Sequence, residues 1–311
     1  MLERFDLTKR LDVCTDFKVV PGFDEEFKER VREADPIVVF THQTHADGVL
    51  ASVVSAHLLD LIKESGREPQ IKGFALTVAS SLVKGRQSRV LQGFYYPISY
   101  LMSRKGLKTI SYTRKADEDE YGMSREGNQN EIGVLKQALQ RGYKLAVFAE
   151  GTVQAGRHRP GNNPENIFGM QEVKNATLIN AARLTKEESG GRPIVYITVG
   201  LHGGFRIQSP NKEKLGPTKE GLATLFGVPE WLIPHVKGEA TVGGIIPESV
   251  LEARFGANWI KKGRDKNSKS NGMNRELVGA VNRFIMEDAA RFVPLHARGF
   301  YAAAVKEAVP V

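Results

Sequence analysis

Cysteine is almost missing from this chain: Cys14 is the only one among 311 residues. One thiol excludes an internal disulfide framework and any zinc site built on several cysteines, and its default setting is a reducing, intracellular compartment. Long apolar runs are missing too. The most apolar segment, Gly48 to Ile62, is interrupted by His57 and Asp60, well short of the roughly 20 apolar residues that span a bilayer, and it reads as a buried helix. The opening Met-Leu-Glu-Arg-Phe-Asp has no signal-peptide organisation. A cytoplasmic location is therefore expected, with peripheral rather than integral contact to any membrane. The third absence is local. From Pro69 to Ala116 no acidic residue occurs, while Lys72, Lys84, Arg86, Arg89, Arg104, Lys105, Lys108, Arg114 and Lys115 are all basic.

That tract carries much of a net charge of +8, which suits an anionic partner such as a phosphorylated substrate, an acidic protein, a membrane surface or nucleic acid. Phe74, Phe94, Tyr95, Tyr96 and Tyr100 are interleaved with the cations. Basic plus aromatic is the composition of a surface that meets lipid headgroups or a phosphorylated ligand. A solvated surface is the plain alternative for such a run.

Hydrophobic periodicity alternates strands with helices. Strands are expected at 36–40, 70–74, 109–113, 144–148 and 193–199, and a strand pair or bent strand at 236–246. Helices are expected at 25–33, 47–62, 130–140, 172–184 and 275–292, with helical pieces over 80–102. Residues 212–234 read as irregular. This alternation argues an α/β sandwich. The chain divides into an N-terminal polar and helical segment (1–35), a central domain (36–247), and a C-terminal basic linker with helices (248–311) packed on the same domain.

The most informative stretch is Thr41-His-Gln-Thr-His-Ala-Asp-Gly48, between the apolar run Ile37-Val38-Val39-Phe40 and a long helical pattern. A histidine at the end of a strand and an aspartate at the start of the next helix can meet at the carboxyl edge of a sheet. An imidazole held by a carboxylate takes a proton from a hydroxyl near neutral pH. A second loop, Phe148-Ala-Glu-Gly-Thr-Val-Gln-Ala-Gly-Arg-His-Arg-Pro-Gly161, also follows a strand. Arg157 and Arg159 place two guanidiniums on a glycine-rich turn suited to a phosphate, and ligands of open α/β sheets bind at that edge.

In order along the chain, His42…Asp47, Arg114 within Ile-Ser-Tyr-Thr-Arg-Lys, Phe148-Ala-Glu-Gly-Thr152 and Pro193-Ile-Val-Tyr-Ile-Thr-Val199 resemble the four motifs of the glycerolipid acyltransferases. The resemblance covers roughly residues 36–247, including a strand-like segment from Val236 to Pro247. His42-Gln-Thr-His-Ala-Asp47 and Gly156-Arg-His-Arg-Pro160 look most like the soluble plastid-type glycerol-3-phosphate acyltransferases. The resemblance implies that family's α/β fold, a mixed central sheet flanked by helices with the active site at the carboxyl edge of the strands. It also implies the reaction: transfer of an acyl chain from acyl carrier protein or coenzyme A to glycerol 3-phosphate or its 1-acyl derivative, in phospholipid biosynthesis. The thioester is a co-substrate, and no metal or other cofactor is implied. His42 would be the general base and Asp47 its orienting carboxylate. Arg157, Arg159 and Arg114 with Lys115 would hold the acceptor phosphate, and Glu150, Gly151 and Thr152 would form the loop around the acceptor. An anionic membrane surface is the third implied contact; nucleic acid is not a partner.

The chain also departs from the pattern. Ala149 stands where a proline is usual, Val153 stands where an arginine often follows Gly-Thr, and only 41 residues precede His42, too few for the helical bundle of the plastid-type members. His45 is not part of the acyltransferase motif and reads as structural, as does His57 within its helix. A rival reading takes Asp35-Pro-Ile-Val-Val-Phe-Thr-His-Gln-Thr-His-Ala-Asp as the first motif of the metal-dependent phosphoesterases of the Asp-His-His type. Val49 stands where a second aspartate would be needed, and no Asp-His-His triplet occurs, so a two-metal site is hard to assemble. A third reading is a basic, non-catalytic module binding anions or nucleic acid, for which no recognised motif is present.

Overall fold

The computed structural model describes residues 11–42, 46–67, 70–79, 99–112, 128–150, 169–207, 217–263 and 274–305. Seven strands form one sheet: β1 (Thr15–Val19), β2 (Asp35–Phe40), β3 (Gly73–Ala79), β4 (Leu107–Tyr112), β5 (Tyr143–Phe148), β6 (Ile194–His202) and β7 (Gly238–Pro247). Their order is β1-β7-β6-β2-β5-β3-β4. All neighbours are parallel except β6 and β7, which run antiparallel with a register shift at Thr198/Val199.

The seven longer helices among the described residues are α1 (Phe23–Glu33), α2 (Asp47–Glu64), α3 (Asn128–Gln140), α4 (Thr177–Glu188), α5 (Lys219–Phe226), α6 (Glu248–Phe255) and α7 (Arg275–Ala290). They divide between the two faces of the sheet, and alternation along β2 shows how. Val38 and Phe40 pack into a core with α1, α2 and Leu225 of α5. Ile37 and Val39 point the other way, into a core with α3, α4, Leu251 of α6, and α7. β2 and β6 are buried at every position, as expected of central strands covered on both faces, which read as continuous apolar runs rather than alternating ones. β7 alternates buried and half-buried residues along its length, because it lies near the edge of the sheet. α2 is apolar around most of its circumference and is buried from Asp47 to Ser55; it fills the space above the central strands. Among the described residues no helix is long and apolar enough to cross a membrane.

Most expected elements are present with shifted ends, and three differences have physical causes. β1 lies within the stretch read as polar and helical, because a five-residue strand of which only Thr15 is buried carries too few apolar side chains to register. α5 lies in the stretch expected to be irregular; it is only eight residues long, capped by Thr218, whose Oγ1 accepts a hydrogen bond from the Gly221 N–H at 2.9 Å, and ended by Gly227 at φ +70°. The expected strand at 70–74 begins instead at Gly73 and runs to Ala79. Of the expected pieces over 80–102, residues 80–98 lie outside the described residues. The C-terminal stretch contributes Val278, Val281, Ile285, Met286, Ala297 and Tyr301 to the second core.

Candidate active site

Every strand from β2 to β6 runs in the same direction, so the ends of β2, β5 and β6 share one edge. Three side chains gather there: His42 just past β2, Glu150 just past β5, and His202 at the end of β6. Thr41 locks the end of β2 to β6. Its Oγ1 accepts the Leu201 N–H at 2.7 Å and donates to the Leu201 carbonyl at 3.0 Å. The strand therefore ends in a fixed position, and His42 leaves it at a defined angle.

The His42 Nδ1 lies 3.1 Å from Asp47 Oδ2. Asp47 is fully buried and His42 nearly so. Asp47 occupies the first turn of α2, where the helix dipole favours a negative charge. An Nδ1–H directed at that carboxylate leaves Nε2 as the acceptor, the tautomer a general base requires. The ring is stacked on Phe148 of β5, with centroids 4.1 Å apart and planes 20° apart. A carboxylate on one edge and an aromatic face beneath confine the imidazole to a narrow range of orientations.

Glu150 joins the two loops. Its Oε1 accepts the His42 backbone N–H at 3.2 Å and its Oε2 accepts the Gln171 N–H at 3.0 Å. A buried carboxylate that receives main-chain N–H groups on both oxygens is a clamp on loop geometry. Behind it, Tyr301 accepts a hydrogen bond from the Val173 N–H at 3.1 Å. Burial, with the nearby Glu150 and Glu172 carboxylates, pushes the Tyr301 phenol up to about 12.

His202 is a member of this edge that motif reading passed over. The signal that singles out His42, a histidine closing an apolar strand, is equally present in Ile194-Val-Tyr-Ile-Thr-Val-Gly-Leu-His202. Burial pushes its imidazole below the ordinary 6.5; the Glu239 carboxylate opposes this, His296 and Arg206 reinforce it, and Asp47 opposes it. Asp47 thus acts electrostatically on two histidines. The His202 ring also meets His296 edge-on at 5.2 Å.

Of the residues singled out in the sequence, His42, Asp47 and Glu150 come together. Arg114, Lys115, Gly151, Thr152, Arg157 and Arg159 lie outside the described residues, as does His45. Among the described residues no group of three His, Cys, Asp or Glu side chains is arranged to hold a metal. His57 lies well inside α2, bonded to Asp24 at 2.9 Å and edge-on to Phe17, a structural setting. A cavity of about 490 Å³ lies at the opposite, amino edge of the sheet, between α2 and the segments leading into β3 and β4. It is remote from His42. Lys63, Lys72, Arg104 and Lys105 line it with Asp60, so part of the basic tract faces away from the histidine edge.

No protein-family model matches this chain, and no curated protein matches it in sequence.

Proposed function

We propose that the His42 edge is the active site of an acyltransferase that moves a fatty acyl chain from a thioester, on acyl carrier protein or coenzyme A, to a hydroxyl of a phosphorylated glycerol. The observation that carries this reading is the His42–Asp47 hydrogen bond, 3.1 Å long, in a setting that leaves Nε2 available as a base. The ordered resemblance of four motifs to the glycerolipid acyltransferases supports it, and so does the clamp from Glu150 of the third motif to the His42 main chain.

His42 Nε2 accepts the proton of the acceptor hydroxyl as its oxygen attacks the thioester carbonyl. Asp47 stabilises the imidazolium that forms. The tetrahedral intermediate collapses by breaking the carbon–sulfur bond, and His42 returns the proton to the leaving thiolate. No acyl-enzyme forms, because the acceptor is itself the nucleophile. Glu150 contributes by position: fixing the His42 main chain keeps the base in line with a bound hydroxyl, and misplacement by about 1 Å can cost on the order of a hundredfold in rate. On this reading Arg114, Lys115, Arg157 and Arg159 bind the acceptor phosphate, with Gly151 and Thr152 in the surrounding loop.

The deciding experiment measures free thiol released from acyl-coenzyme A and from acyl-acyl carrier protein. The acceptors offered are glycerol 3-phosphate, 1-acylglycerol 3-phosphate and unphosphorylated glycerol. Thiol release that requires a phosphorylated acceptor and disappears in His42→Ala is the expected result. Absence of release with every acceptor overturns the reading, and stoichiometric manganese in the purified protein would turn attention to phosphoester hydrolysis.

A further inference from the structure

Between α5 and β7 the chain builds a closed loop with an apolar tip. The Val236 N–H donates to Thr224 Oγ1 at 2.9 Å and the Val228 N–H to the Ala223 carbonyl at 2.9 Å, so the loop leaves and rejoins the fold at one neck. His235 Nε2 donates to the Val228 carbonyl at 2.6 Å across that neck. Inside it, the Leu232 N–H bonds the Pro229 carbonyl at 2.9 Å. Such a loop, with its ends together and its backbone bonded internally, is a compact surface element rather than a loose connection.

What it presents is unusual. Trp231 is 82% exposed, Leu232 57% and Phe226, at the neck, 55%. The other tryptophan, Trp259, is 1% exposed. A folded chain normally removes such side chains from water, and a cluster of exposed large apolar groups marks an interaction site. The loop stands at the histidine edge. It leads directly into Gly238, where an added Cβ would meet Leu50 of α2, one turn from Asp47. Arg206 at the neck reaches the Lys237 carbonyl and Glu239, each at 3.4 Å.

We propose that this loop seats the protein on an anionic phospholipid surface, with Trp231 and Leu232 inserted at the boundary between headgroups and acyl chains. Tryptophan combines a large apolar ring with one N–H donor and favours that boundary. Exposed Lys219 and Lys237 flank the neck with Glu220 and Glu239 close beside them, so the attraction to an anionic leaflet comes from the chain's overall charge of +8 rather than from the neck itself. Glu230, beside Trp231, is the one acidic group at the tip and tempers the attraction. A second copy of the chain is the alternative occupant, and self-association without vesicles is the outcome that would identify it. The inference rests on the loop itself and holds whatever reaction His42 performs.

The test uses the full chain and extruded vesicles of phosphatidylglycerol and phosphatidylcholine in equal parts, against phosphatidylcholine alone. Cosedimentation with the anionic vesicles is expected. In Trp259→Phe, whose remaining tryptophan is Trp231, emission should shift to the blue and iodide quenching should fall on vesicle addition; in Trp231→Phe neither should change. The double variant Trp231→Ser, Leu232→Ser should partition about ten- to a hundredfold more weakly. Its Trp259 emission reports that the fold is intact, so the proposal stays testable even if Trp259→Phe does not fold. Three results overturn it: no cosedimentation, cosedimentation with Trp231 still open to iodide, or burial of Trp231 by self-association without vesicles.

Discussion

The side chain of Glu150 accepts a hydrogen bond from the backbone N–H of His42 at 3.2 Å, across 108 positions of sequence. The two residues follow adjacent parallel strands, β2 and β5, and the contact ties the ends of those strands together. Replacing Glu150 by Gln leaves a single acceptor for two main-chain donors. The expected outcome is a loss of about 1–3 kcal/mol of stability in urea unfolding. A fall in turnover larger than the change in acceptor affinity should accompany it, because the base is displaced while the rest of the acceptor site remains.

His42→Ala should lower thiol release by about 10²–10⁴-fold, the general-base contribution, and should also lower the thermal midpoint, because the fully buried Asp47 carboxylate loses a hydrogen-bond partner. Asp47→Asn should also lower turnover while preserving the fold, since Asn keeps the shape and one acceptor but cannot stabilise an imidazolium. Initial rates and thermal melts of the two variants, side by side, check both statements.

Stability should depend on pH through His202. Burial holds its imidazole below 6.5 in the folded protein, whereas the unfolded chain takes up a proton near 6.5. Above that value neither state carries the proton and the contribution to stability is complete. As pH falls below 6.5 toward the folded value, the unfolded state binds more protons and stability drops. His202→Gln should remove this share of the acid-side slope. Urea midpoints of the wild type and the variant, measured above and below pH 6.5, give the difference curve; parallel curves would contradict the assignment.

At the amino edge of the sheet, Asp35 is fully buried and paired with Arg67 at 3.0 Å and Lys144 at 2.8 Å, with Arg192 at 3.9 Å. Asp35→Ala strands these cations around an empty carboxylate site. Removing one partner of a buried ion pair costs about 3–5 kcal/mol, and chemical denaturation should show a loss of that order while the folded fraction keeps its His42-dependent thiol release.

The histidine edge was partly legible in sequence, and the reasons differ residue by residue. His42 and Asp47 stand on either side of a strand-to-helix transition whose apolar run and helical period are both strong, so their proximity could be anticipated locally. Glu150 could be located at a strand end, but its target could not. The contact depends on β2 and β5 being neighbours, and strand order is not written in any short window. His202 shares the strand-end signal of His42 yet has no motif around it, and only the β2–β6 pairing brings it beside Asp47. The apolar loop at Trp231 was hidden within a Gly- and Pro-bearing stretch, where a short capped helix leaves little periodicity.

The outer pair of strands has a consequence for the order in which the protein acquires its shape. β1 pairs, among the described strands, with β7 alone, with Thr15 opposite Gly238. A ribosome emits β1 long before its partner exists, whereas β2, β5 and β6, which carry the histidine edge, are all complete before β7 is made. Non-local pairing of this kind is slow to close. β1 should therefore be the last strand to gain amide protection in pulse-labelled refolding, and the exposed edge awaiting it on β7 is the point at which a nascent chain is most open to association with its neighbours.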